Sequence, residues 1–220
     1  MAGIVATIWG LCMFFSADTR IGLSYKSKIV NELKGRSYFE SGTFGPILTT
    51  SKNFRLSFAS PAVTMMSFYH TLNSLWTIMG TLDYTSWSSF DYIKSYNVAQ
   101  LAETNLNVIT PEKFRNVFHF AAAINYAMND NLKFRFGLGY DQDPVKRHYR
   151  SILFPNGRAI AIALGARYIP FKKIMMDIGY LHSFIKKVSI NSTLDVTQAH
   201  LTGHLNTTAD ILGMQLVWDV

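Results

Sequence analysis

Leu132-Lys133-Phe134-Arg135-Phe136-Gly137-Leu138-Gly139-Tyr140-Asp141 alternates without a slip between two chemically opposite sets. Leu132, Phe134, Phe136, Leu138 and Tyr140 fall on one side, and Lys133, Arg135, Gly137, Gly139 and Asp141 on the other. A period of two indicates a strand, because successive side chains point to opposite faces of the pleat, whereas a helix would mix both sets around its circumference. A soluble sheet packs its apolar face on a core. A transmembrane barrel strand turns that face to lipid and its polar face to a lumen, over about 9 to 11 residues. The run has the length of the second kind, so the fold depends on whether the rest of the chain repeats it.

Composition agrees with a membrane sheet. Of 220 residues, 49% are hydrophobic and only 16% charged, against a usual quarter charged, which points to a membrane protein or a large β domain rather than a disordered chain. No apolar run reaches the 18 or so residues of a helical span. The net charge is +7, but the cations are dispersed rather than gathered into a stripe for nucleic acid, so none is expected as a partner. Small clusters at Lys146, Arg147, His148 and Arg150, and at Lys172 and Lys173, read as solvated loops. The single cysteine, Cys12, excludes an internal disulfide framework, and no metal spacing, phosphate loop or nucleotide fingerprint implies a cofactor. Residues 1–17 resemble a signal-peptide core but lack a basic start, the first cation being Arg20. A strand near Ile4 to Met13 entering a Ser-Ala-Asp turn fits better.

The alternation recurs along the chain. Ile21, Leu23, Tyr25 and Ile29 oppose Arg20, Gly22, Ser24, Lys26 and Lys28 over residues 20–29, and residues 35–53, with Gly42, Gly45 and Pro46, read as a long loop. Residues 61–72 form a strand of unassigned faces. After an Asn73-Ser74 turn, Trp76, Ile78, Leu82 and Tyr84 separate from Thr77, Thr81, Asp83 and Thr85. Residues 92–112 make a second long connection, with 101–107 either a short helix or a loop. Phe118, Phe120, Ile124, Tyr126 and Met128 then oppose His119, Ala121, Ala123 and Asn125, and an Asn-Asp-Asn turn at 129–131 leads into the quoted strand. Past a third loop at 143–157, residues 158–169 and 174–184 alternate on either side of a short turn, a fourth polar connection spans 191–207, and residues 212–220 close the chain.

That makes about nine strands whose connections alternate short and long, as in bacterial outer-membrane barrels with short periplasmic turns and long extracellular loops. Tyr126, Tyr140, Tyr168 and Trp218 sit near strand ends, where interfacial aromatic girdles belong. A soluble sandwich is the alternative, although its small and charged faces would lie opposite very aromatic ones.

Five segments carry a family resemblance: Thr-Arg-Ile-Gly-Leu-Ser-Tyr-Lys-Ser-Lys-Ile (19–29), Asp-Tyr-Thr-Ser-Trp-Ser-Ser-Phe-Asp (83–91), Arg-Phe-Gly-Leu-Gly-Tyr-Asp-Gln-Asp-Pro-Val (135–145), Leu-Phe-Pro-Asn-Gly-Arg (153–158) and Asp-Ile-Gly-Tyr-Leu-His-Ser-Phe (177–184). In this order they resemble the FadL/TodX family of outer-membrane transporters. The resemblance implies a monomeric antiparallel transmembrane β-barrel that moves long-chain fatty acids or other hydrophobic molecules inward. It also implies a small hatch in the lumen, a sideways exit through the wall, and dealings with the lipid bilayer, lipopolysaccharide and the outer-membrane assembly machinery. It covers the C-terminal part of the family domain over residues 1–220, with hatch and early strands missing. A family barrel has about fourteen strands, within the range of such barrels. The expectation is therefore a partial barrel, a truncated transporter or a non-functional fragment of one, ending in Val220 where many such barrels end in an aromatic.

A fatty acid needs an apolar groove for its tail and a cation for its carboxylate. Alternation turns Arg20, Lys26, Lys28, Lys133, Arg135 and Arg167 inward, as candidates for the headgroup. The competing expectation is that such lumen cations pair with Asp83, Asp141 and Asp177 to stiffen the wall. An outer-membrane lipid-modifying enzyme is disfavoured because the adjacent His182 and Ser183 must point to opposite faces, and no motif joins His119, His200 or His204 to a serine.

Overall fold

The computed structural model describes residues 6–38, 51–101, 104–171, 173–194 and 199–218. Ile4, residues 39–50, Lys172, residues 195–198 and the terminal Val220, on which some sequence-based expectations fall, lie outside them. In chain order, β1 (Ile8–Phe14) turns into β2 (Thr19–Lys26), a hairpin of β3 (Ile29–Ser37) and β4 (Ser51–Ser60) follows, and β5 (Val63–Thr71) turns into β6 (Trp76–Thr85). A second hairpin, β7 (Tyr92–Leu101) and β8 (Thr104–Pro111), precedes β9 (Val117–Ala127) and β10 (Leu132–Asp141). β11 (Ala159–Phe171) and β12 (Ile174–Ile185) are followed by a third hairpin, β13 (Val188–Leu194) and β14 (Ala199–Leu205), and by β15 (Thr208–Trp218).

Nine of these strands form one antiparallel sheet in the order β1-β2-β5-β6-β9-β10-β11-β12-β15, so the nine follow one another across the sheet in chain order, with the three hairpins left out. Among the described residues β1 and β15 pair on one side only, and the sheet is not closed. In hydrocarbon each unpaired backbone group costs several kcal/mol, so both edges call for further pairing.

The short turns are built by their own side chains. Ser16 Oγ accepts from the amides of Asp18 and Thr19, Asn73 Oδ1 from Leu75 and Trp76, and Asn129 Oδ1 from Asn131. Each supplies an acceptor to amides that the reversing chain would otherwise leave without one.

At the opposite end the described residues hold six further strands: β7 and β8 inside the expected loop 92–112, β13 and β14 largely inside 191–207, and β3 and β4 flanking 35–53. β3, β4, β7 and β8 make a four-stranded sheet, and β13 and β14 a two-stranded one. Residues 92–112 therefore hold the strands Tyr92–Leu101 and Thr104–Pro111, the described residues of 101–107 are extended rather than helical or loop, and 191–207 holds most of a hairpin. The segment expected as one strand over 20–29 ends at Lys26, with Ile29 opening β3 and Lys28 lying between them. The period of two is weaker in these hairpins, where adjacent polar residues such as Asn31 and Glu32 of β3 place polar groups on both faces and leave no continuous lipid stripe.

The burial pattern inverts that of a soluble domain. Phe134, Phe136 and Leu138 remain 43%, 42% and 49% exposed on a strand that is paired on both sides, which removes the sandwich alternative. The buried hydrophobics gather instead at the base of the loops, where Phe90, Phe114 and Val145 pack with Phe58, Trp87, Ile93 and Phe154. Ring centroids of Phe90 lie 5.0 Å from Phe114 and 5.5 Å from Phe154, geometries worth about 0.5–1.5 kcal/mol per pair beyond area. Beside this cluster Glu112 is 1% exposed, and neither carboxylate oxygen has a hydrogen-bond partner. Burial alone pushes its carboxyl up to about 7.

Two outcomes follow from this architecture. Leu164→Arg, in the middle of the outward stripe, should lower the unfolding free energy in lipid vesicles by about 2–4 kcal/mol, while Ala163→Ser on the other face should change it by less than about 0.5 kcal/mol. Glu112 keeps its proton in the folded loops up to about pH 7 but loses it in the unfolded chain near its ordinary value. Its environment is thus tolerated fully at low pH, and stability falls as pH rises through that window, by about 3 kcal/mol in all. Hydrogen-exchange protection of residues 87–93, corrected for intrinsic rates, should drop between about pH 5 and pH 8 and become flat in Glu112→Gln.

Candidate functional site

Register sorts the inward face of the sheet into tiers. The tier nearest the short turns runs Lys133, Arg167, Asp177, Gln215 across four neighbouring strands. One step further lie Asn125, Arg135, Gly165, Gly179 and Gly213. The middle of the wall is small or apolar: Met79, Ala123, Gly137, Ala163, Leu181 and Ile211, then Thr81, Ala121, Gly139, Ala161, Ser183 and Ala209. Asp83, His119 and Asp141 close the face toward the loops.

Asp177 stitches the first two tiers together. Arg167 donates to it from Nε and Nη2, each at 2.9 Å, in a fork across β11 and β12, and Arg135 Nη1 donates at 3.0 Å from β10. Parallel donation to both oxygens makes this a charge-assisted pair of defined orientation. Gly165 makes room for it, since a Cβ there would stand 3.6 Å from Arg135 Cβ and 3.2 Å from the Ile178 carbonyl oxygen. Above the arginines a cavity of about 460 Å³ is lined by Arg135, Asn125, Met79, Ala123 and Gly137 among others.

The six cations read as candidates from alternation are thus not one cluster. Arg135 and Arg167 share Asp177, and Lys133 stands opposite Arg167 in register. Arg20 lies on the inward face four strands away, its guanidinium 4.1 Å from the Tyr69 ring centroid. Lys26 ends β2 at the loop side and Lys28 follows it outside the strand. The expected pairing of cations with three aspartates holds for Asp177 alone. Asp141 takes His119, whose Nδ1 lies 2.6 Å away and must carry the proton because a carboxylate only accepts. Asp83 Oδ1 is buried without a partner. His119, placed on the inward set by alternation but matched there with no acid, stands in register between the inward Asp83 and Asp141. His182 bonds Asp210 at 2.7 Å while Ser183 belongs to the inward row, so the two point apart as alternation requires.

The outward face carries aromatics at both rims. Trp76 lies tilted against Tyr126 with ring centroids 4.6 Å apart near the short turns, Tyr168 and Trp218 follow one and two outward rows further toward those turns, and Tyr84 and Phe118 approach to 5.0 Å near the loops. Tyr126 and Phe118 are eight residues apart, about 26 Å along a strand, which suits the apolar thickness of a bilayer.

Residues 8–219 match the model of the family described as outer membrane protein transport protein (OMPP1/FadL/TodX). A long-chain fatty acid transport protein of Escherichia coli K12 is 26% identical over 194 residues, covering 83% of this chain and 43% of the relative. Outer membrane protein P1 of Haemophilus influenzae is 26% identical over 201 residues, covering 91% and 42%. This chain therefore spans less than half the length of these relatives. Among solved structures, a Pseudomonas aeruginosa FadL homologue superposes with a TM-score of 0.83 at 21% identity, covering 96% of this chain and 51% of the other. The Pseudomonas putida toluene transporter TodX superposes with a TM-score of 0.68 at 15% identity, covering 96% and 48%. At such identities the two structures testify to the fold.

Because Asp177 serves two arginines at once, Asp177→Asn should cost about 1–3 kcal/mol in vesicle unfolding, discounted for the partial exposure of both guanidinium groups. Arg135→Gln should cost less than about 1 kcal/mol, since the Arg167 fork remains.

Proposed function

We propose, from the premise that this chain belongs to the OMPP1/FadL/TodX family of outer membrane transport proteins, that it forms part of the wall of a conduit carrying long-chain fatty acids or other hydrophobic compounds across the outer membrane. The observation that carries this proposal is the order of the inward tiers: a smooth belt of alanine, glycine and aliphatic side chains ending at Arg135 and Arg167. An alkyl chain lies along such a belt without displacing bound side chains, and a carboxylate at its end meets two forked donors. On this proposal the short turns face the periplasm and the three hairpins face outward. The barrel works as a monomer, in contact with lipopolysaccharide, and is inserted by the outer-membrane assembly machinery.

One feature favours a neutral ligand as the second possibility. Asp177 already occupies both arginines, which lowers their demand for another carboxylate. Aromatic hydrocarbons, the cargo named for the TodX structure, need only the apolar belt. The two cargoes separate by experiment. If carboxylates are the ligands, Arg135→Gln combined with Arg167→Gln should weaken oleate binding about tenfold or more, the worth of one charged hydrogen bond, and leave toluene binding unchanged. Unchanged oleate affinity in a variant that still shows folded-barrel gel mobility would reject the headgroup role.

A further inference from the structure

The outward face has a second charged feature, at its loop end. Tyr140, Ile160 and Phe184 make the last apolar row of the stripe. One row beyond, Lys186 N donates to the Arg158 carbonyl at 2.9 Å, continuing the β11–β12 register so that Arg158 and Lys186 stand where lipid-facing side chains would come next. A cavity of about 740 Å³ opens there, lined by Arg115, Arg147, Arg150, Arg158, Lys186 and Lys187, with Asp143 as its one acid. Six cations less one carboxylate leave a formal charge of +5 on a single wall.

Asp143 neutralises one of these cations, Arg150, and its backbone carbonyl takes the Arg115 Nε hydrogen at 2.8 Å, so the other five have no acid among the lining residues. Arg150 is the built part of the site. Its side chain is only 9% exposed, Nη2 donates to Asp143 and to the Val145 carbonyl, and the buried Nε has no hydrogen-bond partner, while the residue lines the cavity. The loop is seated against the cations by Gly157, where a Cβ would stand 2.5 Å from the Lys186 carbonyl oxygen. Like charges at this density repel unless an anion bridges them, and arginine forks suit phosphate oxygens best. A single carboxylate would leave most of the charge unmatched, whereas a phosphate monoester carries about −1.5 to −2.

We propose that this pocket binds the phosphate of a phosphorylated lipid headgroup in the leaflet on the loop side of the membrane, holding the barrel rim at headgroup depth. The row directly below the pocket is the lipid-facing stripe, so an acyl chain can descend along Ile160 and Phe184 while the phosphate stays among the cations. The inference rests on the outer-membrane placement of the sheet but not on what crosses the lumen.

The test is binding of lipid A by the protein in phosphatidylcholine nanodiscs, comparing the diphosphorylated form with its dephosphorylated analogue. The unsubstituted protein should retain the diphosphorylated lipid at least tenfold more strongly. The combined R158Q, K186Q and K187Q variant should lose most of that difference and keep the same affinity for the dephosphorylated lipid. Should the triple variant fail to show folded-barrel gel mobility, K187Q alone should weaken phosphate-dependent retention about threefold. Equal retention of both lipids by the unsubstituted protein overturns the proposal, as does a phosphate preference that survives the substitutions. Binding of inorganic phosphate as tight as that of the lipid would make this a soluble-anion site and overturn it too. Oleate binding measured on the same samples keeps the two proposals apart: lipid A binding without oleate binding removes the transport reading alone, and the reverse removes this one.

Discussion

Hydrocarbon offers a backbone amide nothing to bond to, and that single constraint organises this molecule. It requires long paired strands, and the nine membrane strands supply them, following one another across the sheet in chain order. Four of the eight pairings, β1–β2, β5–β6, β9–β10 and β11–β12, cross a turn of a few residues, and Ser16, Asn73 and Asn129 close three of those turns with their own side chains. The same constraint leaves β1 and β15 as edges that call for further pairing among strands of the same kind.

Once the backbone is satisfied, the two faces are free to specialise. The outward one carries Phe, Leu and Ile at high exposure, which in water would drive aggregation and in lipid costs nothing. The inward one is divided by height rather than by strand: a histidine between aspartates at the loop end, a small and apolar belt, then the arginines on Asp177. Glycine at 165 is part of that division, because it allows Arg135 to lie against the wall instead of filling the lumen. The packed hydrophobic core has moved out of the sheet to the base of the loops, where water returns and aromatic side chains again gain by mutual burial.

Charge follows the same geography. Inside the wall the arginines are neutralised in part by a carboxylate on the next strand, which holds three strands in one arrangement. On the outside, beyond Tyr140, the cations of three separate segments converge with almost no acid among them. Lys146, Arg147, His148 and Arg150 read as a solvated loop in the linear chain, but Arg150 folds inward and is nearly enclosed. Its surroundings come from Arg115, Arg158 and Lys186, which are distant in sequence, so no window of residues could have revealed them together.

What the sequence by itself determined is the membrane sheet. Alternation over Leu132 to Asp141 and its repeats sorts side chains into two faces in every strand where it is regular, which excludes residues 61–72, and the register places Arg20, Lys26, Lys133, Arg135 and Arg167 on one face. The six hairpin strands were not legible, since residues without a lipid stripe need not alternate. Which cation meets which acid was decided by tertiary structure alone: Asp177 taking two arginines, Asp141 taking His119, and Asp83 taking neither. Strand pairing brings residues 42 positions apart within 3.0 Å, and the strength of an ion pair depends on that distance and on the surrounding dielectric, neither of which is written along the chain.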